Sequence, residues 1–156
     1  MKRDGSRGFT LVELVMVIIF LGIVTIIAIP NYVDLRDDAK SAVTKDEMTA
    51  IKRAIVGDAR AQSGGVYTFP GYEADAGALP SSLTDLVIRP ASVGTYDPIT
   101  RLGWRGPYVD SSSTSNYQKD AWDTPYVFAT SPRRIRSWGP NKADNSGSGD
   151  DIDLNY

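Results

Sequence analysis

The side chains best suited to chemistry lie near the C-terminus, in the run NKADNSGSGDDID of residues 141–153. Its oxygen donors stand at short spacings between glycines and serines: Asn141, Asp144, Asn145, Asp150, Asp151 and Asp153. Carboxylates and carbonyls of this kind are what a calcium ion takes, about six to eight at a time. The run is not an EF-hand, because position twelve counted from Asn141 is Ile152 instead of glutamate. It predicts a cation-binding loop or, alternatively, a solvated acidic chain end that frays.

Other kinds of chemistry have little support in the composition. The 156-residue chain contains neither histidine nor cysteine, which removes the commonest general base, a common metal ligand and any thiolate nucleophile. It also has no nucleophile elbow and no Ser-x-x-Lys motif, so an enzyme would need paired carboxylates, which Asp150, Asp151 and Asp153 could imitate. The formal net charge is −2 and no basic stripe carries interleaved aromatics. We therefore expect neither an enzyme nor a nucleic-acid partner.

Residues 9–29, FTLVELVMVIIFLGIVTIIAI, form an apolar run with a single charge at Glu13. As an α-helix this run would be about 32 Å long, close to the roughly 30 Å hydrocarbon core of a bilayer. The leader, residues 1–8, is basic and predicts a cytoplasmic N-terminus. A secretory signal peptide is the alternative, but the run is too long and IAIPNY is a poor cleavage site. We expect a membrane-spanning helix with the rest of the chain on the far side.

The glutamate in this apolar run needs an explanation, because a charge in lipid costs about 2.5–3.5 kcal/mol on insertion scales. The stretch RGFTLVEL, residues 7–14, resembles the class III signal of type IV pilins and pseudopilins. The resemblance implies that a prepilin peptidase cuts between Gly8 and Phe9 and that Phe9 is then N-methylated. It also implies an assembly role for Phe9, Thr10 and Glu13, in which Glu13 pairs with the Phe9 ammonium of a neighbouring subunit. Alternatively, Glu13 reaches the headgroups from the first helical turn, where the helix dipole favours an anion.

The helix is expected to continue through residues 30–63 as an amphipathic helix that joins a globular head. Apolar residues recur there, mostly at helical spacings: Val33, Ala39, Val43, Met48, Ile51 and Ile55. Pro30 removes one internal hydrogen bond and predicts a kink. A proline at this distance from the cut also occurs in the pilin family. From Phe9 to about Ser63, the whole helix would be about 80 Å long.

The head, residues 64–156, is too small for a large core of its own. A short helix with a serine N-cap is predicted over Leu79–Val87. Strands are predicted at Pro125–Ala129 and Arg134–Trp138, and GPYVD at residues 106–110 is a weaker candidate. We predict an α+β, pilin-like fold in which a small antiparallel sheet packs on the long helix.

Two stretches of the head narrow the resemblance to the major pseudopilin of type II secretion systems. KDAWDTPYVF, residues 119–128, resembles an Asp-Pro-Trp-Gly-Asn-Pro-Tyr stretch of that family, and residues 135–154 resemble its C-terminal calcium loop. Residues 71–78 look like an insertion. The resemblance implies a calcium cofactor, in which Asp144 could replace Asn141 because the family has a carboxylate there. The implied ligands are the carbonyls of Trp138 and Ser148 and the side chains of Asn141, Asp150 and Asp153.

The resemblance implies a structural subunit that polymerises into the short periplasmic filament of a type II secretion system. Its implied partners are other copies of itself, minor pseudopilins, an inner-membrane assembly platform driven by a cytoplasmic ATPase, and prepilin peptidase. The subunit would wait in the inner membrane with its N-terminus in the cytoplasm and its head in the periplasm. One alternative is a type IV pilus subunit for adhesion or motility. Another is a monomeric membrane-anchored domain that binds through Trp104, Trp122 and Trp138.

Overall fold

The computed structural model places most of the chain in one long helix and a small α+β head. It describes residues 8–58, 60–63, 66–110 and 117–156, and of these it gives the backbone alone for residues 27–31, 33–34, 62–63 and 66–67. The chain divides into two compact units, Met1–Asp38 and Ala39–Tyr156. Helix α1, Leu11–Val56, contributes its first part to one unit and its second part to the other.

In the first unit, the apolar side chains of α1 have no cover. Every described side chain from Phe9 to Ile26 is exposed, and the large aliphatic and aromatic ones point in all directions around the helix. Among the described residues, no helix combines the length and apolar character needed to cross a bilayer. The predicted membrane span over residues 9–29 is therefore not confirmed. The backbone stays helical through residue 30, and the kink at Pro30 remains a prediction.

In the second unit, α1 buries one face in the head. Thr44, Met48, Ile51 and Ile55 have almost no exposed surface, and their spacings of four, three and four residues place them on one side of a helix. The predicted core positions Met48, Ile51 and Ile55 are thus confirmed. Val43 was predicted for the same face but is 49% exposed, because the buried stripe passes through the neighbouring Thr44.

Helix α1 ends at Val56, seven residues before the boundary near Ser63 expected from the sequence, and the chain reverses at Gly57. Gly57 has φ +83°, and a Cβ there would lie 2.5 Å from the Pro70 carbonyl oxygen. The next residue, Asp58, donates its N–H to the Phe69 carbonyl oxygen at 3.0 Å. This close return of the chain is open only to glycine. The last two residues expected in the helix instead form strand β1 (Gln62–Ser63), which pairs antiparallel with strand β2 (Val66–Tyr67).

Residues 71–78, which look like an insertion, supply a second helix and part of the core. Helix α2, Gly71–Ala76, buries Tyr72, whose ring meets the Tyr108 ring edge-on with centroids 5.6 Å apart. A 3₁₀ helix, Leu83–Leu86, follows and has Ser82 as N-cap in a reciprocal capping box with Asp85. The predicted short helix over Leu79–Val87 is thus confirmed in a shorter and tighter form.

A three-stranded antiparallel sheet completes the head, in the order β3 (Val127–Thr130), β4 (Arg133–Ser137) and β5 (Ile152–Asn155). The first two strands confirm the prediction. The third was expected to be part of a loop. Ile135 of β4 is fully buried in the same cluster as the face of α1, so the predicted α+β class is confirmed.

The strand predicted at residues 106–110 is wrong. Tyr108 donates its backbone N–H to the Leu86 carbonyl oxygen at 2.7 Å, so this segment lies against the 3₁₀ helix and pairs with no described strand. Tyr108 is a core residue in a connection between elements.

Candidate functional site

The first candidate site is the start of α1, where Thr10 and Glu13 bond reciprocally. The backbone N–H and the hydroxyl of Thr10 both donate to Glu13 Oε2 at 2.9 Å, and the Glu13 N–H donates to Thr10 Oγ1 at 3.3 Å. This is a capping box, with Thr10 as the N-cap and Glu13 three residues later. The Thr-x-x-Glu spacing was readable in the sequence, and it gives Glu13 a role within its own chain that was not anticipated.

The predicted cleavage point is sterically open. Gly8 and Phe9 precede α1, both are exposed, and Phe9 keeps 80% of its surface accessible. A Cβ built on Gly8 would meet no atom of the described residues within 4 Å. Both hydrogen bonds to the Glu13 carboxylate end on Oε2, and the side chain is exposed. The site can therefore present a carboxylate to another molecule while the helix start stays capped.

The segment KDAWDTPYVF, residues 119–128, forms a turn that is hydrogen-bonded to both α1 and β4. Asp120 is buried; its Oδ1 accepts the N–H groups of Trp122 and Thr124 at 3.0 and 2.8 Å, and its Oδ2 accepts the Ser137 hydroxyl at 2.5 Å. The Asp120 carboxylate thus stabilises the turn and connects it to β4. Ala121 donates its N–H to Thr44 Oγ1 of α1 at 3.2 Å. The residues that carry the resemblance hold the sheet, the turn and the helix together.

Two of the tryptophans considered as a binding surface are packed into the head. Trp122 is 6% exposed. Trp104 is half-buried and donates its indole N–H to the Asp85 carbonyl oxygen at 2.9 Å. Its ring also meets Tyr108 edge-on, with centroids 6.0 Å apart. Their contacts favour a packing role, as is usual for aromatic residues near turns.

A buried carboxylate that the sequence did not single out lies beneath α2. Asp75 is 3% exposed, accepts the Tyr108 hydroxyl at 3.1 Å and receives Arg105 Nε and Nη2 at 3.2 Å. Burial raises the pKa of Tyr108 to about 12, so the hydroxyl remains a proton donor at any physiological pH. Asp75, Arg105 and Tyr108 thus pair their charges and hydrogen bonds with one another, and this cluster anchors α2 to the rest of the head.

The second candidate site is the acidic C-terminal loop, residues 139–151. Asp150 Oδ2 accepts the Asn141 N–H at 2.9 Å, and its Oδ1 accepts the side-chain amides of Asn141 and Asn145 at 2.7 and 2.8 Å. The Asn141 amide oxygen accepts the Ala143 N–H at 2.7 Å. The structure therefore brings the predicted ligands Asn141 and Asp150 together, with amide donors directed at the carboxylate.

Two further carboxylates of this loop, Asp144 and Asp151, and the carboxylate of Asp153 in β5 surround Arg136. Asp153 accepts Arg136 Nε at 2.6 Å and Nη2 at 3.0 Å, and Asp144 accepts Nη1 at 2.9 Å. Asp151 Oδ2 lies 4.0 Å from Nε. Arg136 is only 4% exposed. Its hydrogen bonds hold the pKa of the Asp153 carboxyl below its usual range. Arg136 had not been considered as part of the site.

This arrangement fits a calcium ion poorly. Asp153 is held by a guanidinium, and the Ser148 carbonyl accepts the Asp151 N–H at 3.3 Å. Asp151 Oδ1 is buried and has no hydrogen-bond partner among the described residues, so it could bind a cation. Calcium, however, takes about six to eight oxygen ligands, and a single oxygen does not form such a site. Across the part of the chain that the structure describes, no three carboxylates converge to hold a metal. The calcium ligands remain a prediction.

Three known proteins indicate what this chain is similar to. The type IV narrow pilus major component PilA5 of Thermus thermophilus is 41% identical over 63 residues, 40% of this chain and 53% of that protein. The prepilin peptidase-dependent protein A of Clostridium perfringens is 37% identical over 54 residues, 35% of this chain and 39% of that protein. The type II secretion system core protein G of Xanthomonas campestris pv. campestris is 26% identical over 108 residues, 69% of this chain and 60% of that protein.

These relatives agree with the resemblance to the type IV pilin-like superfamily, close to the major pseudopilin of type II secretion. The chain spans between two-fifths and three-fifths of the length of the curated relatives it matches. No family model and no solved structure matches it.

Proposed function

We propose that this protein is a structural subunit of a helical filament, and that it is the major pseudopilin of a type II secretion system. The observation that carries the proposal is the uncovered apolar surface in the first part of α1. Phe9, Leu11 and Ile26 keep 75–80% of their surface exposed, and the side chains between them are exposed as well. A helix that is apolar on all sides is stable only when something covers it. Other copies of the same helix meet that need in a filament core.

The relatives support a polymer of this kind. One is named as the major component of a pilus, and another as a core protein of a secretion system. In the proposed filament, Glu13 meets the Phe9 ammonium of a neighbouring subunit and fixes the stagger between the two helices. A buried ion pair is tolerated when each charge has its partner and is strongly destabilising when one is removed. The charge pair would therefore set the register, while the apolar contacts supply the cohesion.

Maturation and location complete the proposal. Prepilin peptidase cuts between Gly8 and Phe9, and Phe9 is methylated; one relative is named for its dependence on this peptidase. Before assembly, residues 9–29 lie in the inner membrane with the head in the periplasm. This part of the proposal rests on the composition of the segment and on the class of the relatives. Minor pseudopilins, a membrane platform and a cytoplasmic ATPase are the proposed assembly partners. The subunit itself performs no catalysis.

A type IV pilus subunit is the second candidate. The similarity to the Thermus pilus component, at 41% identity, favours it. Deletion of the gene in its host separates the two functions. Loss of secreted proteins from the medium, with surface fibres unchanged, would support the pseudopilin. Loss of surface fibres with normal secretion would support the pilus subunit.

The intact mass and N-terminal sequence of the protein purified from membranes test the proposal first. We expect a chain that begins at Phe9 and carries one added methyl group. A chain that begins at Met1 would leave Glu13 without its ammonium partner and favour a monomeric anchored domain. A chain cut near residue 28 would indicate a secreted protein, and the filament proposal would fail.

Assembly itself can be tested by cysteine crosslinking, because the chain has no cysteine of its own. Single cysteines at Val17 and, separately, at Ile99 of the head give a matched pair of exposed positions. Oxidation of assembled protein should produce disulfide-linked dimers from the Val17 variant, because one cysteine per subunit can join only two subunits. Dimers that are equally strong from both positions would indicate non-specific aggregation.

A further inference from the structure

We infer that the Arg136 guanidinium is the internal cation of the C-terminal loop and closes this loop where the resemblance implies calcium. The inference concerns the head alone and does not depend on the proposed filament. It rests on the position of Arg136 among the three carboxylates of Asp144, Asp151 and Asp153. The consequence is that the loop stays closed without a divalent cation.

The register of the sheet brings Arg136 and Asp153 together as an ion pair. Arg136 of β4 and Asp153 of β5 are directly opposed residues in the antiparallel ladder. Side chains opposed in this way lie on the same face and close enough to bond. The two carboxylate oxygens of Asp153 receive two different nitrogens of Arg136, at 2.6 and 3.0 Å, which is the bidentate geometry that arginine forms best. The pair is therefore built into the sheet.

The loop then folds over this pair. Asp144 reaches the third guanidinium nitrogen at 2.9 Å, and its Oδ1 also accepts the Ser146 N–H at 2.8 Å. A Cβ on Gly147 would lie 2.6 Å from both Arg136 Nη2 and Asp153 Oδ2. The Gly147 N–H donates to Asp151 Oδ2 at 2.8 Å. Only a glycine, here with φ +85°, lets the backbone come so close to the ion pair.

Calcium would compete with Arg136 for the same oxygens. An ion bound to Asp153 must lie about 2.3–2.6 Å from its oxygens, in the space that the guanidinium nitrogens now fill. It would also bring a double positive charge next to a buried single one, which is strongly unfavourable in a poorly solvated site. Arg134 Nη1, 3.8 Å from Asp153 Oδ2, adds a second guanidinium to the cluster. Two guanidinium groups thus already face the carboxylates of Asp144, Asp151 and Asp153.

The loop also supplies its own donors to the remaining carboxylate. Asp150 receives the two asparagine side-chain amides and one backbone N–H described above. For calcium to bind here, the Asp150 carboxylate oxygens and the Asn141 side-chain oxygen would all have to point at the ion. Instead, the Asn141 oxygen is bonded to the Ala143 N–H. At the position of Asn141, the pseudopilin family has a carboxylate. The neutral side chain found here is consistent with a loop that binds no divalent cation.

The test is the thermal midpoint of the full-length wild-type chain with excess CaCl₂, with excess MgCl₂ and with EDTA. We expect the three midpoints to agree within the error of the measurement. Hydrogen exchange in EDTA should show the N–H groups of Asn145 and Gly147 protected, because both donate to Asp151 Oδ2. A midpoint several degrees higher in calcium than in EDTA, or loss of this protection in EDTA, would overturn the inference.

Substitution of the arginine gives the complementary test. Arg136→Gln should lower the midpoint by several degrees and expose the loop to exchange. Arg133→Gln is the matched control, since Arg133 lies on the same strand but pairs with Glu73 at 2.6 Å, away from the loop. The control should change the midpoint little, because its ion pair is partly exposed. Arg136→Lys should recover only part of the loss, because an ammonium cannot bond both oxygens of Asp153 and also Asp144 with the same planar geometry.

The combined results decide the question even if Arg136→Gln fails to fold. If Arg136→Gln is unfolded while Arg133→Gln is folded, the Arg136 guanidinium is required for folding. Equal midpoints of the wild-type chain in calcium and in EDTA would then show that a metal ion is not required. If Arg136→Gln keeps the wild-type midpoint and loop protection, the arginine does not close the loop and the inference is wrong.

Discussion

Thr10 and Glu13 hold each other at the first turn of α1, with both donors of Thr10 bonded to Glu13 Oε2 at 2.9 Å. This relationship gives the glutamate two separable roles. The helix cap needs only a hydrogen-bond acceptor at residue 13, whereas the proposed pairing with the Phe9 ammonium needs a negative charge. Variants that keep one property and remove the other can therefore separate the two roles.

Glu13→Gln should be processed normally but should assemble poorly. The glutamine oxygen still accepts from Thr10, so the cap is retained, but the variant has no charge to pair with an ammonium in an apolar core. The measurement is the yield of sedimented or crosslinked filaments, with the mass of the mature N-terminus as evidence of processing. Wild-type filament yield from Glu13→Gln would contradict the register hypothesis.

Thr10→Ala is the matched control. It removes the cap, at a cost of about 0.5–2 kcal/mol to the helix start, and leaves the carboxylate charge in place. We expect local fraying in hydrogen exchange and filaments close to the wild-type yield. If Thr10→Ala fails to assemble while Glu13→Gln assembles normally, the cap and not the charge would explain the glutamate.

Tyr108→Phe should destabilise the head by about 1–3 kcal/mol. The hydroxyl donates to Asp75 Oδ2 and accepts the Arg105 N–H at 3.0 Å, so its removal leaves the buried Asp75 carboxylate and the part-buried Arg105 N–H each short of a partner. Chemical denaturation gives the free energy of unfolding. Tyr32→Phe is the control, because Tyr32 is 62% exposed and the change should be almost neutral. An equal effect at both positions would show that the Asp75 cluster does not anchor α2.

Gly147→Ala should cost clearly more stability than Gly77→Ala. Both glycines have positive φ, +85° and +73°, so both alanines carry a backbone strain of about 1–2 kcal/mol. At Gly77 the added methyl group meets no atom within 4 Å, whereas at Gly147 it collides with the Arg136–Asp153 pair. Overpacking of this kind adds about 1–3 kcal/mol. Equal losses of unfolding free energy would mean that the loop does not close tightly over the ion pair.

Glu47→Gln should change how stability depends on pH. Burial raises the pKa of Glu47, and the nearby Asp120 charge acts in the same direction, while the Tyr126 hydroxyl, which donates to Glu47 Oε2 at 2.8 Å, opposes them. A raised carboxyl pKa means that the fold favours the protonated form. The corresponding stability is present below the ordinary glutamate pKa of about 4.3 and is lost as the pH rises through the folded value.

The glutamine variant keeps the acceptor for Tyr126 but has no charge to desolvate. Its stability relative to wild type should therefore increase from about pH 4 towards neutrality, and the measurement is unfolding free energy across that range. A difference that stays constant with pH would show that Glu47 ionises without cost.

Much of the local structure was predictable because it depends on neighbours in the sequence. The 3.6-residue period placed Met48, Ile51 and Ile55 on the buried face of α1, and the run of β-branched and aromatic residues predicted β3. The errors involve contacts between distant residues. Val43 and Thr44 are both compatible with a helix, and it is Thr44 that lies on the buried face and accepts the Ala121 N–H. Gly57 ends the helix because Phe69 and Pro70 return to it.

The sequence by itself determined the apolar N-terminal segment, the resemblance to a processing signal around Gly8, the capping spacing of Thr10 and Glu13, and the α+β class. Each depends on composition or on spacings within a few residues, where the chain geometry is fixed in advance. Only the tertiary structure decided the chemistry of the acidic loop. The sequence shows its carboxylates, but it does not show which cation meets them. That depends on the register that places Arg136 opposite Asp153, and sheet register is set by long-range pairing.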